Sequence, residues 1–208
     1  VALITNTSIQ SKAFEQLLVA SGVNLVHTFW ISPDNTFKPT LKQKVRTKLG
    51  GIKQNLQTGN EIKSIRAFEE QCAQKAAATI EDFCKEILNS NSANIQSITT
   101  PSVNDEVVRT ELTAKNIDLV AVWGTGILKK DILGTPNVQF INAHTSILPH
   151  YRGSKSEFWQ CYDQKFDQAG FTIHKIDAGV DTGPIIEQFS AGPDCAKEPH
   201  VLRAENTI

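Results

Sequence analysis

The order of apolar and polar positions cuts the chain into short buried runs and longer amphipathic stretches. Val1 to Thr5 is an apolar run that ends in polar residues, the pattern of a buried strand. Asn6-Thr7-Ser8 then offers capping side chains for a helix over 11–20, with Phe14, Leu17 and Leu18 on one face and Gly22 as its terminator. Residues 24–31 are rich in Val, Phe and Trp and predict a second strand, stopped by Ser32-Pro33-Asp34. Strand, helix and strand in that order are the unit that builds a parallel sheet.

Further along, Phe68, Cys72, Ala76, Ile80, Phe83 and Ile87 follow one another in steps of 4, 4, 4, 3 and 4. That spacing predicts a core-facing stripe on one long helix over 61–89, or on two helices in series. Weaker signals predict a strand at 95–98 and a helix at 104–115. Asp118 to Trp123 is a continuous apolar run, as in a central strand covered on both faces. A short helix at 129–133 and strands at 138–143, 170–176 and 185–189 complete the pattern. The last two strands are joined by a turn-rich segment holding Asp177, Gly179, Asp181 and Gly183. The fold class predicted is α/β: a single domain with a mostly parallel central sheet, whose ligands sit beyond the carboxyl ends of the strands.

Composition narrows the function classes. The chain has 208 residues with 21 Lys+Arg against 22 Asp+Glu, so no global charge draws it toward nucleic acid or membrane. No apolar run approaches ~18 residues, so no membrane span is expected. The first residues lack a charged region and a long apolar stretch, which predicts a cytoplasmic location rather than export. Cys72, Cys84, Cys161 and Cys195 are scattered with no CxxC pair, so reduced thiols are expected rather than a disulfide or a zinc site.

One segment departs from the average. From Lys38 to Arg66 eight positive charges stand against Glu61 alone, and Gly50-Gly51 and Gly59 divide the stretch. We take 38–97 as a helical, basic insertion within a single domain spanning 1–208. It is either a solvated face or a surface for an anionic substrate or phospholipid headgroup.

Three polar residues are candidates for chemistry. Asn142 and His144 lie two apart at the carboxyl end of a predicted strand, so alternation puts their side chains on one side. Asp181 lies in the loop after the strand that carries His174. A carboxamide and an imidazolium can donate to a developing oxyanion, and a carboxylate can hold the imidazole charged and take a proton. By residue type alone these read more readily as turn caps and a satisfied structural histidine.

The surroundings add to that reading. Ile141-Asn142-Ala143-His144-Thr145-Ser146-Ile147-Leu148-Pro149-His150-Tyr151-Arg152-Gly153 resembles the signature loop of the folate-dependent formyltransferases. The stretch from Gly170 to Ile186, with His174-Lys175-Ile176-Asp177-Ala178-Gly179-Val180-Asp181-Thr182-Gly183, resembles their second signature. The resemblance covers roughly 118–188 and does not extend over 38–97. It implies a Rossmann-like formyltransferase domain that binds 10-formyltetrahydrofolate as formyl donor, uses no metal and passes the formyl group to a primary amine. It places the catalytic Asn, His and Asp on Asn142, His144 and Asp181. It places the pterin pocket at Thr125, Gly126, Ile127 and Leu128, largely through backbone groups, with the loop carrying Asp177, Ala178 and Gly179 as the other wall. Ser146 and Arg152 are its candidates near the substrate; Ser146 and Thr172 are expected to bond backbone or water, and His174 to be structural.

The acceptor follows by elimination within the family. The turn after the first strand reads Thr5-Asn6-Thr7-Ser8-Ile9-Gln10, without the glycines that let backbone N–H groups reach a phosphate, which speaks against a glycinamide ribonucleotide. Methionyl-tRNA formyltransferases add a C-terminal RNA-binding domain, and only 20 residues follow Gln188, so no nucleic-acid partner is expected. Formyltetrahydrofolate deformylases add an N-terminal regulatory domain, whereas this chain opens on its first strand. A small-molecule amine, such as an amino-sugar nucleotide, is the acceptor expected; the oligomeric state, a homodimer included, stays open. A nicotinamide-dependent dehydrogenase would need GxGxxG at the first strand–helix turn, which is missing. A binding protein that has lost turnover remains an alternative, against which stands the presence of all three polar residues together.

Overall fold

The computed structural model describes residues 1–32, 41–90 and 93–190 together with Val201 and Ala204, and along 41–61 the backbone alone. The elements run β1 (Ala2–Asn6), α1 (Ile9–Ala20), β2 (His27–Ile31), α2 (Leu41–Ser90), β3 (Ser97–Thr100), α3 (Glu106–Ala114), β4 (Leu119–Trp123), α4 (Lys130–Leu133), β5 (Gln139–His144), α5 (Ser156–Tyr162), β6 (Gly170–Lys175) and β7 (Ile185–Ser190). They form one seven-stranded sheet in the order β3-β2-β1-β4-β5-β6-β7. The five strands from β3 to β5 are parallel; β6 and β7 are antiparallel additions on the β5 side. The mostly parallel sheet expected from the sequence is therefore present. After β3 the chain returns to the other side of β1, so β1 and β4 flank the point where strand order reverses, and a crevice opens there beyond their carboxyl ends.

One face of the sheet carries the main apolar core. Ala2, Ile4, Phe29, Val120, Val122 and Phe140 from the strands meet Val108 and Leu112 of α3 and Ile132 of α4. Phe29, Ile4, Val108, Leu112 and Val120 are fully buried. The other face meets α1 and α2 in a second cluster of Ala13, Ala76, Ile80, Cys84, Ile87 and Ala204.

Helix α1 starts where the caps predict: Ser8 Oγ accepts the Ser11 N–H at 3.2 Å. Its buried side is not the expected apolar one. Ser11, Ala13, Glu15 and Gln16 are buried, whereas Leu17 is exposed and Phe14 leans on Trp123 with ring centroids 5.1 Å apart. The polar groups are satisfied, which is why they are tolerated inside. Glu15 accepts the Thr28 hydroxyl at 2.6 Å, and Gln16 bonds both the N–H and the carbonyl of Ala93. Phe14, Leu17 and Leu18 instead line a cavity of about 360 Å³ between α1, α2 and the sheet.

Helix α2 is one continuous helix of 50 residues; Gly50, Gly51 and Gly59 do not divide it. A glycine inside a helix costs about 1 kcal/mol relative to Ala, a penalty a long helix absorbs. The expected stripe is largely correct: Cys72, Ala76, Ile80 and Ile87 are buried, while Phe83 is half-buried and its neighbour Cys84 is the buried residue at that turn. Phe68 is the exception, exposed and resting on Phe158 of α5 at 6.2 Å between ring centroids. Glu69 beside it pairs with Lys155 at the start of α5, so α2 also braces that helix. The α5 helix itself was not foreseen. Its N-cap, Lys155, is left-handed at φ 70°, and no capping side chain announces it. No disulfide is seen among the described residues at Cys72, Cys84 or Cys161, and Cys195 lies outside those residues. The side chains of Lys42 to Lys53, and Lys38 as a whole, do so as well, so the basic face has no structural account. No described helix is long and apolar enough to cross a membrane.

Ile80 is 1% exposed and sits between α2 and α1. Ile80→Ala is expected to destabilise the fold by about 2–5 kcal/mol, through lost burial and a residual cavity. Phe68→Ala, at the exposed end of the same stripe, is expected to cost under about 1 kcal/mol. Denaturant unfolding of both variants checks the pair, and an equal or reversed order would contradict the packing of α2.

Candidate functional site

Two strands running in opposite directions bring the first polar residues together. The register of β5 against β6 sets Asn142 opposite His174 and His144 opposite Thr172. Opposed residues share a face of the sheet, so all four side chains project to one side. Asn142 Nδ2 stands 3.3 Å from His174 Nε2. His174 Nδ1 donates to the Lys175 carbonyl at 2.8 Å, which commits Nε2 to the site. Thr172 turns away from the site: its hydroxyl donates to the Ser146 carbonyl at 2.6 Å and accepts the Leu148 N–H at 3.0 Å.

The loop after β6 adds the carboxylate. Asp181 is left-handed at φ 48°, a conformation that Asp tolerates better than most residues. Its two oxygens face different rings: Oδ2 lies 3.5 Å from His144 Nδ1, and Oδ1 lies 3.5 Å from His174 Nε2. Oδ2 also accepts the Gly153 N–H at 2.7 Å. Burial alone would raise the Asp181 pKa, but His174, the Gly153 amide and His144 hold it below its ordinary value. For His174, burial would lower the pKa, and the Asp181 carboxylate and the Lys175 carbonyl overcome it, so the ring is held above its ordinary value. A protonated Nε2 is a donor and needs an acceptor opposite it. Asp181 Oδ1, 3.5 Å away, meets that need, and Asn142, whose Nδ2 faces the same ring, keeps an N–H for another partner.

His144 is fixed from its other side. Its Nε2 lies 2.8 Å from the Tyr151 carbonyl and 3.4 Å from Ser156 Oγ. The segment that supplies these groups is tightly turned: Tyr151, Gly153 and Lys155 are all left-handed. The Tyr151 hydroxyl anchors it by donating to Asp163 at 2.8 Å; burial, then that carboxylate, pushes the phenol up to about 12.

These groups line a cavity of about 500 Å³, within the range that holds a small ligand. One wall is Gly124 to Leu128, which follows β4; the other is Ile176 to Asp181, with Ala178 outside the lining. Asp177 braces its wall from within. Its Oδ1 accepts the Thr182 hydroxyl at 2.6 Å and the Gly179 N–H at 2.9 Å, and the first of these bonds above all keeps its pKa low. A Cβ at Gly183 would overlap the Lys175 carbonyl, so only glycine lets this loop fold back on β6.

Most of the residues singled out from sequence come together here. Asn142, His144, Asp181, Thr125, Gly126, Ile127, Leu128, Asp177 and Gly179 all line the cavity. Ser146 and Arg152 do not. Ser146 is fully buried and donates to the His150 carbonyl at 2.8 Å, while Arg152 is exposed outside the lining. His174, read as structural from sequence, stands between Asn142 and Asp181. Gly153, the Tyr151 carbonyl and Ser156 were also missed, since they act through backbone groups or a helix start without a sequence signal. Only the position of Gly153 at the end of the first signature could have pointed to it.

A protein-family model described as formyl transferase matches residues 46–192. The match includes most of the stretch that the two signatures leave uncovered. The methionyl-tRNA formyltransferase of Pseudomonas fluorescens (strain SBW25) is 33% identical over 94 residues, which is 45% of this chain and 29% of that protein. The chain thus spans about three tenths of the length of the curated relatives it matches. Among solved structures, glycinamide ribonucleotide transformylase 1 from Symbiobacterium toebii superposes with a TM-score of 0.60 at 16% identity, over 99% of this chain and 79% of that one. A sugar N-formyltransferase from Shewanella sp FDAARGOS_354 superposes with a TM-score of 0.53 at 18% identity, over 99% and 63%. At those identities the superpositions establish the fold.

The Asp181 cluster has a defined pH signature. The ordinary carboxyl value of 3.8 is lowered in Asp181, so its stabilisation is present above 3.8 and lost as pH falls through the lowered value. The ordinary imidazole value of 6.5 is raised in His174, so its stabilisation is complete below 6.5 and lost as pH rises through the raised value. The stability difference between the native chain and Asp181→Asn is therefore expected to be largest between 3.8 and 6.5 and to shrink at higher pH. Urea unfolding across a pH series measures it; a difference that keeps growing above neutrality contradicts the pairing.

Proposed function

The chain belongs to the formyl transferase family, and on that premise we propose that it moves a formyl group from 10-formyltetrahydrofolate to the primary amine of a small molecule. The observation that carries this reading is the Asp181 carboxylate held between two imidazoles, beside a carboxamide with donor capacity, at the edge of a cavity of about 500 Å³. The cavity walls suit the donor: Thr125 to Leu128 offer backbone groups on one side, and Asp177 and Gly179 close the other.

The chemistry follows from the groups present. The acceptor attacks as the neutral amine, since only a free lone pair forms the new C–N bond to the formyl carbon. The carbonyl oxygen takes up the displaced electron pair. Asn142 Nδ2 is suited to donate to that oxyanion, and a donor in this role is worth ~3 kcal/mol. His144, with Nε2 on the Tyr151 carbonyl and Nδ1 facing Asp181, is suited to place positive charge beside it. Asp181 takes the amine proton, directly or through water. Collapse restores the carbonyl, breaks the bond to N10 of the folate and returns a proton to that nitrogen. No step calls for a metal.

For the acceptor, an amino-sugar nucleotide is favoured over a glycinamide ribonucleotide. The β1–α1 turn has no glycine, and its own side chains fill it: Asn6 Oδ1 accepts the Ser8 N–H at 2.8 Å and the Ser11 hydroxyl at 2.9 Å. An N–H already bonded inside the turn is not free to receive a phosphate there.

Incubation with 10-formyltetrahydrofolate, followed by the folate absorbance change, tests both levels of the proposal. Turnover is expected only when an amine acceptor is present, and with an amino-sugar nucleotide in preference to glycinamide ribonucleotide or methionyl-tRNA. Asp181→Asn and Asn142→Ala are each expected to lower turnover at least ~100-fold with the fold retained. Turnover without an acceptor indicates a deformylase, no turnover with any amine indicates a binding protein, and near-native rates in both variants refute the residue roles.

A further inference from the structure

The segment from Gly124 to Lys129 forms a wall of the cavity without being helix or strand. Among the described residues, the N–H groups of Thr125, Gly126, Ile127 and Leu128 make no hydrogen bond to backbone or side chain. Such a segment needs something outside itself to fix its shape. Two carboxamides meet it, one near each end. Asn6, the last residue of β1, donates from Nδ2 to the Gly124 carbonyl at 2.8 Å. Asn104, in the turn before α3, donates from Nδ2 to the Ile127 carbonyl at 2.9 Å and accepts the Lys129 N–H at 2.6 Å.

We propose that Asn6 and Asn104 are positioning residues that hold Gly124–Lys129 in the shape that receives the folate donor. The inference rests on the reading of this cavity as the donor site. Both side chains are themselves fixed. Asn6 Oδ1 accepts from Ser8 N–H and from Ser11, whose hydroxyl is buried and shared with Thr5 at 2.7 Å. The Asn104 N–H is held by Ser102 Oγ at 3.1 Å. Asn6 also spans the place where strand order reverses, tying the carboxyl end of β1 to that of β4. A Cβ at Gly124 would stand 2.7 Å from Asn6 Nδ2, so that glycine lets the carboxamide close on its carbonyl. No hydrogen bond joins either asparagine to Asn142, His144, His174 or Asp181, which are held by β5, β6 and the segments at 151–156 and 177–183. Loosening the wall therefore acts on donor binding and leaves the reacting groups in place.

The test separates binding from chemistry. Asn6→Ala and Asn104→Ala are each expected to raise KM for 10-formyltetrahydrofolate about five- to tenfold, the scale of a lost well-formed hydrogen bond or two, with kcat within about twofold and, for Asn104→Ala, the acceptor KM within about twofold as well. Asn6→Asp keeps the acceptor for Ser8 and Ser11 but sets a carboxylate against the Gly124 carbonyl. It is expected to raise the donor KM at least as much as Asn6→Ala, although the turn stays braced and the melting temperature falls less. Equal donor KM in native and variant chains, or a loss confined to kcat, overturns the proposal. Titration of tetrahydrofolate against Trp123 fluorescence separates the two levels: no binding by the native chain sinks the donor-site reading, whereas equal binding by native and Asn104→Ala chains sinks the positioning role alone.

Discussion

The site is organised around a carboxylate that sits in a half-dry place. An ionised Asp181 with a side chain 16% exposed needs compensation, because a buried charge without partners is shed by protonation. Three groups supply it, and each comes from a different segment: His144 from the end of β5, His174 from β6 and the Gly153 amide from the turn before α5. Several otherwise unrelated features serve that arrangement. The antiparallel pairing of β6 on β5 sets His174 beside Asn142. The left-handed residues at 151, 153 and 155 bring an N–H and a carbonyl to the same histidine–aspartate contact. The left-handed Asp181 and the cramped Gly183 fold the second loop back over the strand.

The parallel half of the sheet does a different job. It buries the core, and at its strand ends it supplies the wall that faces the antiparallel half. The reversal of strand order between β1 and β4 leaves the segment after β4 without a strand to continue along. The cavity exists because β4 ends at Trp123 while its neighbour β5 carries on to His144 and turns sharply. Helix α2 ties the two halves together from behind: its buried residues pack on α1, and Phe68 and Glu69 reach α5, the helix that starts just after the turn holding Asp181.

Much of this was legible in the sequence, and the parts that were not share a physical cause. Strand positions followed from runs such as Leu119–Trp123, and Asn142, His144 and Asp181 stood out through two long signatures. Alternation put Asn142 and His144 on one side, because it is a property of a single strand. The place of His174 between Asn142 and Asp181 was not legible because its neighbours depend on the register between two strands, which neither strand states alone. The polar inner face of α1 was hidden for the same reason. Glu15 is tolerable inside only because Thr28, on another element, reaches it. The continuity of α2 through three glycines was missed because a local propensity of about 1 kcal/mol per residue is outweighed over 50 residues. Ser146 looked like a substrate contact because it sits in the signature, yet its hydroxyl holds the His150 carbonyl.

The division of the site also bears on what decides the acceptor. Under the proposed function, the carboxamide, the imidazoles and the carboxylate act on the formyl carbon and on an amine proton, features common to every formyl transfer to an amine. The wall at 124–129 and the loop at 177–183 belong to the donor side under the same reading. Neither set contains a group that distinguishes one amine from another. Proteins named for a ribonucleotide and for a sugar superpose on this chain over 99% of its length, so the fold does not make that choice either. Discrimination must therefore come from groups that border the cavity without taking part in the reaction. The β1–α1 turn is where this chain departs most clearly from a phosphate cradle, since Asn6, Ser8 and Ser11 use up their hydrogen bonds on one another. Under the proposed function that filled turn disfavours a phosphate seated within it, and the carboxamide that fills it is the one bonded to the Gly124 carbonyl. Under the two proposals together, Asn6 at the end of β1 stands where the filled turn and the donor wall adjoin.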